Sequence, residues 1–171
     1  MASVWEVSTL LDALQRDLQA RIDPQSWAMI GIYTGGVWIA EELHRRLGMS
    51  TPLGQLDISF YRDDFSRVGL HPQVKASNLP FAIDGARIIL VDDVLYTGRT
   101  IRAALNEIFD YGRPEQVLLA VLVDRGLREL PICPDLAALR LRSNPDDYVK
   151  LRGPQPLSLE FVQHPAKEQQ P

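Results

Sequence analysis

Apolar positions along the chain change period several times, and each change marks an element. Behind Ser8, residues Leu10, Leu11, Leu14 and Leu18 recur at helical spacing, which predicts a first helix capped by the serine and broken by Asp23-Pro24. Ala28-Met29-Ile30-Gly31-Ile32 is a continuous apolar run of strand length. It leads through Thr34-Gly35-Gly36 into a helical pattern of Val37, Ala40, Leu43 and Leu47 that stops at Gly48. Strand, tight turn and helix in that order make half of a βαβ unit. In residues 53–61, Leu56, Ile58 and Phe60 alternate with Gln55, Asp57 and Ser59, which predicts a second strand covered on one face. Residues 62–80 are polar, carry Gly69, Pro72 and Pro80, and have no period. A loop of that length inside a domain is functional or disordered, and lids are drawn from such segments.

Residues 86–91 form the third and strongest strand, a near-continuous apolar run as expected of a central parallel strand. Thr100 is then expected to cap a helix whose apolar positions are Ile101, Ala104, Leu105, Ile108 and Phe109, ended by Gly112 and Pro114. Residues 117–123 make a fourth apolar strand. Beyond it Pro131, Pro134, Pro145, Pro154 and Pro156 interrupt the chain, with short strand-like pieces at 139–141, 148–151 and 157–162. The polar stretch 164–171 reads as a disordered tail. The expectation is an α/β fold: one domain over 1–163, core about 20–125, with a mostly parallel sheet flanked by helices on both faces. Ligands of such folds sit outside the carboxyl ends of the strands, where both Gly-containing turns, at Thr34 and Thr97, are found.

Composition narrows the function without choosing it. Hydrophobic content of 46% and charged content of 23% are ordinary for a globular domain. No apolar run is long enough to span a bilayer, and Met1-Ala2-Ser3-Val4-Trp5-Glu6 lacks the pattern of a signal peptide, so a cytoplasmic protein is expected. The single cysteine, Cys133, has no partner for a disulfide or a zinc site. Eighteen basic against 22 acidic residues argue against wholesale attraction to nucleic acid. His44, His71 and His164 share no spacing, and Trp5, Trp27 and Trp38 suit core or oligomer contacts better than base stacking.

The chemistry concentrates in Val91-Asp92-Asp93-Val94-Leu95-Tyr96-Thr97-Gly98-Arg99-Thr100. A buried strand delivers two adjacent carboxylates, and a loop with one glycine and two threonines opens a helix. Backbone N–H groups there, with the helix dipole behind them and the hydroxyls of Thr97 and Thr100 beside them, cradle a phosphate monoester. The carboxylates repel phosphate and suit a vicinal diol instead. Phosphate cradle and diol acceptor a few residues apart describe a ribose 5-phosphate. Paired acids at a strand end also occur in metal-binding receiver domains and ATPases, but no G-x-x-x-x-G-K-[ST] or G-x-G-x-x-G is present.

This string resembles the signature for 5-phosphoribosyl-1-pyrophosphate (PRPP) of type I phosphoribosyltransferases. With residues 56–64, Asp110-Tyr111-Gly112-Arg113-Pro114, and Leu122-Val123-Asp124-Arg125-Gly126 with Arg128-Glu129-Leu130-Pro131-Ile132, it is similar to the PyrR family. Those proteins are bifunctional pyrimidine-operon regulators and uracil phosphoribosyltransferases. The resemblance implies a five-stranded parallel core with a small C-terminal hood. It places Asp92 and Asp93 on the ribose hydroxyls and Val94, Leu95, Tyr96, Thr97, Gly98, Arg99 and Thr100 at the 5-phosphate. Thr34, Gly35 and Gly36 then meet the pyrophosphate, and Val123, Asp124 and Arg125 the base. Arg62 joins the catalytic set with Asp92 and Asp93 and begins the lid. Implied too are Mg²⁺ held mainly by PRPP (through water to Asp92 or Asp93), the ligands uracil and UMP, pyrimidine-operon messenger RNA, and a homo-oligomer.

Several positions depart from the family. Tyr33 and Gly35 stand where PyrR proteins often carry Lys and Arg, so PRPP affinity is expected to be lower, with Arg62, Lys75 or Arg99 as compensating cations. Cys133 replaces an arginine. The first helix offers Arg16 against Asp12 and Asp17, leaving Arg125, Arg128, Arg140, Arg142 and Arg152 as candidates for an RNA-binding patch. Asp63 and Asp64 suit either a water-mediated metal contact or solvated charge. Rival readings are a UMP- or PRPP-sensing RNA-binding regulator with little turnover, and a phosphoribosyltransferase for a purine or orotate.

Overall fold

A computed structural model describes residues 5–59 and 77–162. Arg62, Asp63, Asp64, His71, Lys75 and the tail with His164 therefore lie outside the described residues. Helix α1 (Val7–Gln19) buries Val7, Leu10, Leu11, Leu14 and Leu18 along one face. Its N-cap is Glu6, with no side-chain cap bond, so the cap expected at Ser8 does not form. Burying Val7 contributes about 1.5 kcal/mol or more, which exceeds the ~1 kcal/mol of a typical cap. Strand β1 (Ala28–Ile32) is buried throughout and passes into α2 (Gly35–Leu47), which ends at left-handed Gly48, φ 62°.

Strand β2 (Gly54–Leu56) is shorter than the expected 53–61. Its parallel pairing with β1 runs out at Ile32–Leu56, and Gln55 instead exchanges both main-chain hydrogen bonds with Asn78, each at 2.8 Å. Asp57 is buried beside Ile58, so the alternation of covered and open positions breaks there. Strand β3 (Arg87–Leu95) leads into α3 (Arg99–Tyr111), followed by β4 (Gln116–Asp124) and β5 (Leu136–Arg140). An antiparallel pair, β6 (Tyr148–Arg152) and β7 (Ser158–Val162), closes the described chain.

The main sheet has the order β2-β1-β3-β4-β5 with every pair parallel. Its fifth strand lies past the limit of about 125 expected for the core. The stretch after β4, irregular in sequence, thus contributes a core strand. Helices α1 and α2 bury their apolar faces on one side of the sheet, and α3 does so on the other. Leu14, Leu18 and Leu43 are fully buried; each such side chain stabilises the fold by roughly 1.5–3 kcal/mol. Trp27 is core and Trp38 packs against it, while Trp5 meets Phe161 edge-on at 5.6 Å. Among the described residues no helix is long and apolar enough to cross a membrane.

Strand order reverses between β1 and β3, since the chain moves outward to β2 from one and to β4 from the other. The carboxyl ends of those two strands flank the crevice that such a reversal opens. Both Gly-containing turns stand at that point.

Candidate active site

The first turn joins β1 to α2. Tyr33 donates its N–H to the Leu56 carbonyl at 3.0 Å and its hydroxyl to Gln55 Oε1 at 2.5 Å, so the side chain is directed along β2. The Tyr33–Thr34 peptide is cis. Thr34 is the N-cap of α2 but forms no side-chain cap bond, and Gly35 and Gly36 begin the helix. Both glycines lie against the acid pair. A Cβ on Gly35 would collide with the Asp93 carboxylate, and one on Gly36 would stand 2.7 Å from the Val91 carbonyl oxygen and 3.2 Å from Asp92 Oδ1. Only residues without side chains let this helix N-terminus approach the carboxylates so closely.

Asp92 and Asp93 lie in the C-terminal half of β3, Asp92 buried and Asp93 half-buried. Asp92 Oδ1 accepts the Asp93 N–H, and Asp93 Oδ1 accepts the Val94 N–H, both at 2.9 Å. These bonds orient both acids. The loop after them turns at Gly98, φ 94°, which serves as N-cap of α3. The helix therefore starts at Arg99, ahead of the cap expected at Thr100. Thr97 Oγ1 accepts the Arg99 N–H at 3.2 Å. Arg99, one of the expected compensating cations, pairs with Glu129 at 2.7 Å in an exposed position. An exposed pair of this kind contributes under about 1 kcal/mol.

On the far side, the Arg125 N–H continues the β3–β4 ladder to the Leu95 carbonyl at 2.9 Å. Its guanidinium lies 3.9 Å above the Tyr96 ring, a cation–π contact. It donates to Ser143 Oγ at 3.2 Å and to the carbonyls of Asn144 and Asp147 at 3.2 and 2.7 Å. Val123 is fully buried. Buried Asp124 accepts from Arg128 at 2.7 Å, Arg140 at 2.9 Å and the Gly126 N–H at 2.9 Å. Val123 and Asp124 thus stand at the expected end of β4, with their side chains spent on packing and ion pairing.

The arginines expected to form one RNA-binding patch divide. Arg125 is buried, Arg128 is largely covered, and Arg152 pairs with Glu160 at 2.8 Å. Arg140 and Arg142 are exposed. Arg16 pairs with Asp17 at 3.6 Å, and Asp12 is taken by Arg46 at 2.6 Å. Cys133 is an exposed free thiol, and His44 Nε2 lies 2.7 Å from the Thr51 carbonyl.

One buried group went unnoticed in the sequence. Glu107 is 8% exposed on the inner face of α3, where Oε1 accepts the Ser77 hydroxyl at 2.5 Å and Oε2 has no partner among the described residues. Ser77 Oγ also accepts the Asp57 N–H at 2.9 Å. Burial holds the Glu107 carboxyl above the usual carboxylate range, with Asp57 and Asp110 pushing the same way against the Ser77 hydrogen bond. The signal was available: Glu107 falls three residues after Ala104 and four after Ala103, inside the apolar stripe.

A parallel sheet in this order, with an acid pair between two helix N-termini at its switch point, defines a type I phosphoribosyltransferase. The phosphoribosyl transferase domain family matches residues 4–147. Solved structures agree on the fold. A hypoxanthine-guanine phosphoribosyltransferase from Bacillus anthracis superposes with TM-score 0.67 at 16% identity, covering 87% of each chain. A hypoxanthine phosphoribosyltransferase from Staphylococcus aureus gives 0.65 at 16% identity, covering 87% of this chain and 81% of that one. Two relatives are much nearer in sequence. The bifunctional protein PyrR of Pseudomonas aeruginosa is 56% identical over 154 residues, 88% of this chain and 91% of its own. That of Nitrosococcus oceani is 54% identical over 167 residues, 91% and 94%. The chain belongs to the PyrR family of phosphoribosyltransferases.

Proposed function

We propose that the protein is a uracil phosphoribosyltransferase, converting uracil and PRPP to UMP and diphosphate. The observation that carries this is the convergence of Asp92 and Asp93 with the glycine turn of α2 on one side and the Gly98 loop of α3 on the other. In this reading the acid pair accepts hydrogen bonds from the ribose hydroxyls. The N–H groups of Thr97, Gly98, Arg99 and Thr100 take the 5-phosphate, and Thr34, Gly35 and Gly36 take the pyrophosphate. Breaking the C1–O bond develops oxocarbenium character at C1, which nearby carboxylates stabilise. Uracil N1 attacks C1 directly, so no nucleophilic side chain is required. Arg125, seated over Tyr96, is the link between the phosphate loop and the residues at 143–147 that would hood the base.

Mg²⁺ bound with PRPP supplies charge neutralisation at the leaving pyrophosphate. Among the described residues no three His, Cys, Asp or Glu side chains come together around a metal position. Asp92 or Asp93 would hold such an ion through water, with substrate oxygens supplying its other ligands. The family resemblance adds a second role, nucleotide-controlled binding of pyrimidine-operon messenger RNA, and a homo-oligomeric cytoplasmic protein. Retention of leader RNA on filters, with and without UMP across a salt series, tests that role.

Product analysis with PRPP, Mg²⁺ and a panel of free bases tests the enzyme. UMP formed from uracil, with no nucleotide from purines or orotate, is the expected result. Absence of UMP at millimolar PRPP would sink the assignment.

A further inference from the structure

The loop that would hold the 5-phosphate is not shaped by its own residues alone. Two consecutive carbonyls in it are tied to a segment thirty residues later. Tyr96 C=O accepts Arg128 Nη1 at 2.9 Å. Thr97 C=O accepts the N–H groups of Glu129 and Leu130 at 2.9 and 3.1 Å. The peptides joining Tyr96, Thr97 and Gly98 are trans, and in a trans peptide the C=O of one residue and the N–H of the next point in opposite directions. Fixing those carbonyls toward residues 128–130 therefore turns the N–H groups of Thr97 and Gly98 toward the opposite side, away from that segment. Gly98 is backed by the same segment, since a Cβ there would lie 3.3 Å from Ile132 and 3.5 Å from Leu130.

Of these three hydrogen bonds to the loop carbonyls, the one to Tyr96 comes from a side chain, that of Arg128, which is itself held. Its Nη2 donates to Asp124 Oδ1 at 2.7 Å and its Nε to the Ile132 carbonyl at 2.7 Å, with 19% of the side chain exposed. A planar guanidinium reaches three acceptors in fixed directions at once, which a lysine ammonium on a flexible stem does not. We infer that residues 128–130 are a template that pre-organises the anion-binding amides of the phosphate loop, with Arg128 as its positioning residue and Asp124 as the anchor of Arg128. The inference rests on the proposed function for the identity of the anion, and on geometry alone for the bracing. It gives Arg128 and Asp124 a role distinct from RNA binding and from reading the base.

Two measurements on Arg128→Gln and Arg128→Lys test it. Hydrogen–deuterium exchange without ligand reports the brace directly: peptides covering residues 95–101 exchange faster in Arg128→Gln, while those of α2 do not change. Unchanged exchange in the loop overturns the template. Calorimetry with UMP and with uridine reports its consequence. UMP binding weakens by at least about tenfold in Arg128→Gln, uridine by less than about twofold, with an intermediate loss in Arg128→Lys. Equal losses for the two ligands also overturn the inference, since the phosphate is then not what the segment serves. Should Arg128→Gln fail to fold, Arg128→Lys carries both measurements. Wild-type protein that binds neither UMP nor PRPP defeats the proposed function instead, and the exchange result still decides the brace.

Discussion

The turn after β1 and the loop after β3 use the same local grammar and are held in place by different means. Each ends a buried parallel strand, contains glycine, and opens a helix. The β1 turn is shaped by absence: Gly35 and Gly36 let the start of α2 close onto Asp92 and Asp93. The β3 loop is shaped by attachment, with the carbonyls of Tyr96 and Thr97 fastened to residues 128–130. Added volume should therefore damage the first, and lost hydrogen bonds the second. Both surround the one acid pair, so removing its charge is the common failure of the two.

The largest effect is expected from Asp92→Asn combined with Asp93→Asn. Shape is retained and charge is lost, so kcat/KM for UMP formation falls by about a thousandfold or more while circular dichroism is unchanged. Full activity in that double variant removes the diol assignment and with it the centre of the comparison. Next come the two glycines, which separate stability from turnover. Gly36→Ala drives a methyl into the Val91 main chain, which cannot yield, and costs about 1–3 kcal/mol by urea denaturation. Gly35→Ala meets the Asp93 side chain, which can rotate away. Its stability should change by less than about 1 kcal/mol while misplacement of the acid lowers kcat/KM some ten- to hundredfold. Equal behaviour of the two variants would mean that the turn is not closed on the acids as described.

Tyr33→Lys restores a cation where the family often has one. The KM for PRPP should fall about tenfold, the scale of one charge-assisted contact. No change would mean that the lost charge is supplied from elsewhere. The smallest effect concerns Glu107. Its folded carboxyl binds a proton more tightly than the unfolded chain, whose ordinary value is 4.5. The stability from that difference is complete below 4.5 and is lost as pH rises through the folded-state value. Glutamine cannot ionise. Thermal unfolding of Glu107→Gln should thus match wild type in acid and exceed it increasingly toward pH ~8. Parallel melting curves across the range would show that Glu107 does not titrate in that window.

Where a feature was local, sequence was enough to read it. The phosphate loop joins a strand whose apolar run needs no partner to be recognised and a helix whose stripe repeats through Ile101, Ala104 and Ile108. Acid pair, glycine and threonines lie within one continuous string, so ribose and phosphate chemistry could be argued from spacing. Strand β5 was harder to place, because Leu136-Ala137-Ala138-Leu139-Arg140 is short and only pairing with β4 makes it part of the main sheet. The pairing of Asp124 with Arg128 was not legible at all. The family resemblance put Asp124 beside the base, and Arg128 stood among the candidates for an RNA-binding patch; only the folded chain brings Arg128 to Asp124 and to the Tyr96 carbonyl.

By itself, then, the order of apolar and polar residues determined an alternating strand–helix architecture, the acid pair at the end of the central strand and the glycines at both turns. These follow from periodicity and backbone stereochemistry, which act over a few residues. The tertiary structure decided which arginines are sequestered, that Gly35 and Gly36 pack against Asp93 and Val91, and that Glu107 is buried on the inner face of its helix against Ser77. Those facts depend on which side chains meet after the chain has crossed the sheet, and distance along the sequence carries no record of such meetings.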